Sequence, residues 1–377
     1  MVISNGKKIY GGSESENVYS IQQTPDGGFI AAGESDSSDG DVTENKGLFD
    51  VWVVKLDTAG NIQWEKSLGG SQDDRANAVR VAGDGGYFIG GQTFSSDGDV
   101  TELAGINDFW ILKLDTSGSI EWQKTFGGSL FDEAMTIDAT IDGGVIAAGY
   151  TYSFDGDVTE NKGAQDVWLT KLDSTGQLQW QKSFGGSVDD IVFGIDQTTD
   201  GGFIAAGGTS SLNDGDITGH HGKWDFWLLK LNDAGNLVWQ QTYGGSNFDV
   251  AYSIDETTDG GYVVAGYTNS TDGDVTNPKG SRDMWIVKLA SITGVYDDNV
   301  GNAFRIYPNP TSGIIKYAGF NNESWDNIEV VAITGKNIQY KLSTAQQVID
   351  VGDLTPGIYF IRFKNKNGIF TKKLVKS

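Results

Sequence analysis

The sequence predicts an all-β fold. It reads as a five-bladed β-propeller of four-stranded blades over residues 1–290, closed by the N-terminal strand, then a linker at 291–301 and a small β-sandwich over 302–377. Three observations predict this. A Gly-Gly-Ser triplet recurs at Gly11, Gly69, Gly127, Gly185 and Gly244, at spacings of 58, 58, 58 and 59 residues. Each repeat carries four short apolar segments separated by turn residues, and no segment shows helical periodicity. The repetition ends after Ala290, where the composition also changes.

Within a repeat the signals keep one order. An acid follows the triplet (Glu16, Asp74, Asp132, Asp190, Asp249) and opens an alternating segment such as Val18-Tyr19-Ser20-Ile21. An Asp-Gly-Gly turn at Asp26, Asp84, Asp142, Asp200 and Asp259 leads into a second strand of small apolar residues, such as Phe29-Ile30-Ala31-Ala32-Gly33. A polar Asp-Gly-Asp loop precedes Asp-x-Trp (Trp52, Trp110, Trp168, Trp227, Trp285), which runs into Lys-Leu. A Gly turn (Gly60, Gly118, Gly176, Gly235) then leads to a last strand with its own Trp (Trp64, Trp122, Trp180, Trp239). Four antiparallel strands per repeat make a propeller blade. A solenoid is the competing reading, but it requires polar capping repeats that these ends lack.

The ends argue for a ring. The fifth repeat stops at Lys288-Leu289-Ala290 without a fourth strand. Lys8-Ile9-Tyr10 aligns with Lys66-Ser67-Leu68, so the first segment of the chain is expected to supply that strand and remove an open edge. Gly6 stands where the other repeats have Trp, which weakens the closing strand or points to further blades upstream.

Composition narrows the function. There is no Cys, which excludes disulfides, thiolate zinc sites and a thiol nucleophile. The net charge of −24 is split: residues 1–299 hold 17 Lys and Arg against 46 Asp and Glu, and residues 300–377 hold 10 against 5. So acidic a propeller repels nucleic acid and favours cations. No apolar run reaches the length of a membrane span, and Met1–Tyr10 lacks a signal-peptide core.

Two resemblances add to this reading. Asp-Gly-Gly-Phe-Ile-Ala-Ala-Gly, Asp-Val-Trp-Val-Val-Lys-Leu-Asp and Trp-Gln-Lys-Ser-Phe-Gly-Gly-Ser resemble a family of bacterial β-propeller repeats, which implies fold but little about function. Residues 304–313, with Tyr307, Pro308, Asn309, Pro310 and Gly313, resemble the opening of the type IX secretion C-terminal (type A) sorting domain. Gly335 in Ile333-Thr334-Gly335-Lys336, then Leu354, Pro356, Gly357 and Tyr359, and the terminal Lys372 and Lys373 follow in that family's order. This resemblance implies the type IX machinery as partner, export to the exterior or outer-membrane surface of a Gram-negative bacterium, and a module that is commonly cleaved. A generic adhesive β-sandwich is the bland alternative.

Candidate chemistry lies mainly in loops. The pairs Asp39/Asp41, Asp97/Asp99, Asp155/Asp157, Asp214/Asp216 and Asp272/Asp274 resemble part of a calcium loop, which makes Ca2+ the candidate cofactor; the alternative is turn capping of backbone amides. Repeat four has an extra residue near Asn213 and the run His220-His221-Gly222-Lys223-Trp224. It is a candidate ligand site: Trp224 reads as lying outside the repeat frame, free to stack on a sugar, and the histidines, the chain's only two, as metal donors. Simple loop drift is the alternative. No Ser-His-Asp spacing is present, and paired carboxylates for glycoside cleavage would have to be a pair that the repeat does not copy. The expectation is a secreted, monomeric binding or structural module for a glycan or surface protein. A polysaccharide hydrolase or lyase is the alternative.

Overall fold

The computed structural model describes residues 7–290 and, beyond them, residues 305–307, 311, 313–318, 327–332, 337–338, 341–343, 348–355, 357–365 and 368–376. Contacts divide the chain into two compact units, Met1–Leu289 and Ala290–Ser377. Every regular element among the described residues is a strand.

Repeat one forms β1 (Glu16–Gln23), β2 (Phe29–Ser35), β3 (Asp50–Leu56) and β4 (Ile62–Leu68). Repeat two forms β5 (Asp74–Val81), β6 (Tyr87–Thr93), β7 (Asp108–Leu114) and β8 (Ile120–Phe126). Repeat three forms β9 (Asp132–Ala139), β10 (Val145–Thr151), β11 (Asp166–Leu172) and β12 (Leu178–Phe184). Repeat four forms β13 (Asp190–Gln197), β14 (Phe203–Thr209), β15 (Asp225–Leu231) and β16 (Leu237–Tyr243). Each is one antiparallel sheet with its strands in chain order. Repeat five contributes β17 (Asp249–Glu256), β18 (Tyr262–Thr268) and β19 (Asp283–Leu289), a sheet of three strands among the described residues.

Successive sheets pack face to face, and their first strands (β1, β5, β9, β13, β17) neighbour one another along one inner edge. This propeller-like stacking explains the composition of the second and third strands. They lie between two sheets, so both their faces are buried and they read as continuous apolar runs. The first strands carry a bulge, as at Val18/Ser20 and Ala76/Ala78. Gly33 sits opposite the bulge, where a Cβ would lie 1.8 Å from the Asn17 carbonyl oxygen, so only glycine fits.

Three contacts recur. In repeats two to four the Trp of Asp-x-Trp fills the gap to the preceding sheet, and in all of repeats one to four its indole N–H donates to a fourth-strand side chain: Trp52 to Glu65, Trp110 to Gln123, Trp168 to Gln181 and Trp227 to Gln240. The buried Lys of Lys-Leu reaches the Asp-Gly-Gly turn, with Lys55 on Asp26 at 2.8 Å, Lys113 on Asp84 and Lys171 on Asp142 at 2.9 Å, and Lys230 on Asp200 at 3.0 Å. Its ammonium also donates to the next carbonyl, as Lys55 does to Leu56, so the buried charge is satisfied. The fourth-strand Trp clasps the following sheet: Trp64 donates to the Thr116 carbonyl at 3.2 Å and its ring lies over Gly118.

The expected closure by the N-terminal strand is corrected. Among the described residues, 7–10 form no strand, and β19 pairs only with β18. Lys8 and Tyr10 turn their side chains to repeat one instead: Lys8 bonds Asn61, and the Tyr10 hydroxyl donates to the Gly60 carbonyl, both at 2.5 Å. Tyr10 packs with Val42, Trp52, Val54, Leu56, Phe29 and Ile62. It thus takes the seat that Trp64 takes on Gly118, which is how the chain manages with Gly6 where other repeats have Trp. The side chain of this segment finds its seat, but its backbone gains no ladder.

In the second unit, β20 (Arg305–Tyr307), β21 (Ile314–Ala318), β25 (Val348–Asp350) and β24 (Lys341–Ser343) form one sheet. β23 (Asn337–Ile338), β22 (Asn327–Ala332), β26 (Gly357–Asn365) and β27 (Gly368–Lys376) form a second. Ile315, Tyr317 and Ile349 of the first share one apolar cluster with Val330, Ile361, Phe363 and Leu374 of the second.

Candidate functional site

The corner face is built by backbone capping. As strand direction requires, the Asp-Gly-Asp loops and the Gly-Gly-Ser corners lie together. Asp39, Asp97, Asp155, Asp214 and Asp272 accept the amides of Ser13, Ser71, Ser129, Ser187 and Ser246 at 2.7–3.0 Å. Asp41, Asp99, Asp157, Asp216 and Asp274 accept the first corner glycine amide at 3.0–3.2 Å. Lys46 and Lys162 add ion pairs across sheets to Asp99 at 2.5 Å and Asp216 at 2.6 Å. Among the described residues no group of three or more His, Asp or Glu side chains is placed to hold a metal ion.

Beneath the corners lie buried acids. Asp74 accepts the Gly70 amide at 2.7 Å and the Ser95 hydroxyl at 2.8 Å, and Asp132, Asp190 and Asp249 repeat this with Ser153, Ser211 and Ser270. Asp50, Asp108, Asp166 and Asp225 each cap a loop amide with Oδ2, while Oδ1 has no hydrogen-bond partner and abuts the next corner glycine. Burial raises the carboxyl pKa to about 6 at Asp50 and Asp108 and about 7 at Asp166. The first-strand acids were visible in the sequence as repeated positions, but only the fold shows that they lie against the third-strand acids of the preceding sheet.

Repeat four departs from the pattern in detail only. His221 Nδ1 lies 2.9 Å from Asp225 Oδ2, and His221 occupies the register of Lys46 and Lys162. His220 is buried, and its backbone bonds Asn213. Trp224 is inside the repeat frame, which corrects the sequence reading. It bridges Phe248 as Asn107 bridges Phe131 and Gln165 bridges Asp189. Its ring covers Gly208, where a Cβ would lie 2.8 Å from Cε3.

The inner edge holds groups that the sequence reading did not single out. Phe193 and Tyr252, on adjacent first strands, have ring centroids 5.0 Å apart. Tyr252 meets Tyr267 at 5.9 Å, and the Arg282 guanidinium lies 4.1 Å over Tyr267. In repeats one and two the matching ground is polar: Asn17 and Tyr19 bond Glu34, which ion-pairs with Arg75 at 2.8 Å. Farther along the same strands lie Asp138, Asp196 and Asp255, where repeats one and two have Gln22 and Arg80. Burial, then the neighbouring Asp138 and Asp255, raise Asp196 to about 7. Aligning first strands position by position would have found both groups; tracking only the repeated acids hid them.

Of the sorting-motif residues, Tyr307 lies in β20, and Gly313 accepts the Val351 amide at 2.7 Å. Leu354 packs on the apolar cluster. Gly357 opens β26, and buried Tyr359 donates to the Thr355 carbonyl at 2.9 Å. Lys372 and Lys373 lie in β27, opposite Ile361 and Phe360. Pro308, Asn309, Pro310, Gly335 and Pro356 lie outside the described residues.

Residues 305–377 match the family described as Secretion system C-terminal sorting domain. The chain is exported by type IX secretion to the cell surface or extracellular space. The sorting tail thereby makes the type IX machinery a partner. The chain is also similar to the Regulatory protein FlaEY of Caulobacter vibrioides, 22% identical over 375 residues, covering 88% of this chain but only 38% of that protein. Similar solved structures include the Pan2 WD40 domain of Neurospora crassa (12% identity, 74% of this chain and 90% of that one, TM-score 0.32). Another is Sqt1 of Chaetomium thermophilum (13% identity, 68% and 70%, TM-score 0.29). A third is the extracellular domain of BT4673 from B. thetaiotaomicron (10% identity, 96% and 57%, TM-score 0.23). Among the described residues no helix is long and apolar enough to cross a membrane.

Proposed function

We propose that the protein is an exported glycan-binding module whose repeats form a propeller and whose contact surface is the aromatic sector of repeats four and five. The observation that carries this is the Phe193–Tyr252–Tyr267 run with Arg282 over its end, beside a Tyr252 ring that is half exposed. Sugar rings present C–H faces that stack on aromatics, and a guanidinium adds donors for hydroxyl or carboxylate groups. A glycan array probed with wild type, Tyr252→Ala and Trp224→Ala tests the reading. Wild type is expected to bind, Tyr252→Ala to lose at least tenfold, and Trp224→Ala to lose less because its ring is committed to Gly208. Absence of any glycan signal from wild type removes the glycan and leaves a surface-protein ligand.

Calcium at the Asp-Gly-Asp loops is part of the same proposal. Its support is the row of paired carboxylates on one face, and its test is melting in calcium against chelator; an unchanged midpoint ends it. A second reading, a polysaccharide hydrolase or lyase, is favoured by one observation: the Asp138, Asp196 and Asp255 group is not copied in repeats one and two, and burial followed by the neighbouring carboxylates raises Asp196 to about 7. Release of reducing or unsaturated ends by wild type but not by Asp196→Asn would establish it.

A further inference from the structure

The chain repeats one sheet-to-sheet interface four times and leaves both halves of a fifth copy uncovered. On the third strand, the residues facing the following sheet are Val51 and Val53, Phe109 and Ile111, Val167 and Leu169, and Phe226 and Leu228, all 0–1% exposed. Their counterparts on β19, Met284 and Ile286, are 80% and 55% exposed. On the first strand, the residues that receive the preceding sheet are Ala76 and Val79, Ala134 and Ile137, Val192 and Ile195, and Ala251 and Ile254, none more than 7% exposed. Their counterparts on β1, Val18 and Ile21, are 54% and 62% exposed. The apolar clusters pair these sets directly: Val51 and Val53 with Ala76 and Val79, then Val167 and Leu169 with Val192 and Ile195.

Large exposed apolar side chains grouped on a sheet face mark an interaction surface. Here the repeat identifies the complement, because a β1-type face is what a β19-type face meets four times in this molecule. The edges agree with the faces. Among the described residues β19 has no fourth strand beside it, and Lys8–Tyr10 already sits against the Gly60 turn, the seat that a preceding sheet's fourth strand occupies. Among the described residues, the strands of repeats one and five of one chain share no extended interface.

We propose that the β19 face of one copy receives the β1 face of a second copy, head to tail, with the incoming Lys8–Tyr10 segment lying along the open edge of β19. The contact is heterologous, so copies join in a ring or a short string rather than as a two-fold dimer. This replaces the expected monomer.

The test is light scattering and sedimentation of the full chain over a hundredfold range of concentration, with Met284→Asp and Ile21→Asp. Both residues are exposed in the single chain, so the substitutions leave folding intact. Wild type is expected to associate reversibly. Each variant alone should associate at least tenfold more weakly, and an equimolar mixture should recover a pair, because each variant keeps the face that the other lacks. A wild type that stays at one chain mass throughout the range overturns the proposal in favour of closure within the chain. Association that both substitutions leave unchanged also overturns it, since the contact then lies elsewhere.

Discussion

Repeats two to four and the terminal repeats one and five are written in the same residues but live in different environments. Phe109 and Trp168 meet at 4.7 Å, and Phe226 and Trp285 meet at 4.6 Å. Yet Trp168 is fully buried, its indole bonded to Gln181 of β12, while Trp285 is only half-buried, because among the described residues β19 has no fourth strand beside it. The same holds for the lysines: Lys171 is 4% exposed at its side chain and Lys288 is 43% exposed, with one carboxylate partner in the same register. The lesson is that pair geometry is local to a repeat junction, whereas burial, and with it most of the energy, comes from the strands that lie beyond the pair.

The acids sharpen this comparison most. Asp50, Asp108 and Asp166 have raised pKa values, first through burial, while the matching Asp283 in repeat five is lowered by amide hydrogen bonds from Lys279 and Gly280. A buried acid with a raised folded pKa costs stability above that pKa and is relieved as pH falls toward the unfolded value of about 3.9. Stability should therefore rise from pH 8 to pH 5 by about 1 kcal/mol for each such site, several kcal/mol in total. It should fall again below about pH 4, where the unfolded chain takes up protons while Asp26, held low by its hydrogen bonds from Lys55 and then Thr24, stays ionised in the folded chain. Urea unfolding at a series of pH values checks this, and a flat profile would mean that the interior acids are solvated.

Next in size, Trp168→Ala should cost about 3–5 kcal/mol and Trp285→Ala about half of that, read from chemical denaturation. Equal costs would break the comparison and show that repeat five is covered in solution. Gly118→Ala should follow at about 2–3 kcal/mol, because φ is +81° and a Cβ would meet the Trp64 ring at 2.8 Å. Gly201→Ala, at φ +85° with open space around it, isolates the backbone part at about 1 kcal/mol. Smallest is the lysine pair: Lys171→Met should lower stability by about 1–2 kcal/mol and Lys288→Met by less than about 0.5 kcal/mol, measured by thermal melts.

Much of this was legible beforehand. The strands of each repeat, four in repeats one to four, the buried Asp-x-Trp indole of those repeats and the shared face of the Asp-Gly-Asp loops and Gly-Gly-Ser corners all follow from local chemistry repeated in phase. The aromatic run was missed, because Phe193, Tyr252 and Tyr267 come from different strands and only a position-by-position alignment of the first strands sets Phe193 beside Tyr252. Trp224 misled for a related reason. Its register is set by a bridge to Phe248 in the next repeat, which the spacing within repeat four cannot express.

By itself, the sequence determined the period, the strands, the turn glycines, the sorting tail and the side chains that must be buried somewhere, since these depend on contacts a few residues apart or on a motif copied in phase. Tertiary structure alone decided where Lys8–Tyr10 docks, that β19 pairs with β18 alone among the described residues, and which acids share a junction. Those outcomes depend on how successive sheets stack through space, on contacts between residues far apart in the chain that no single repeat records.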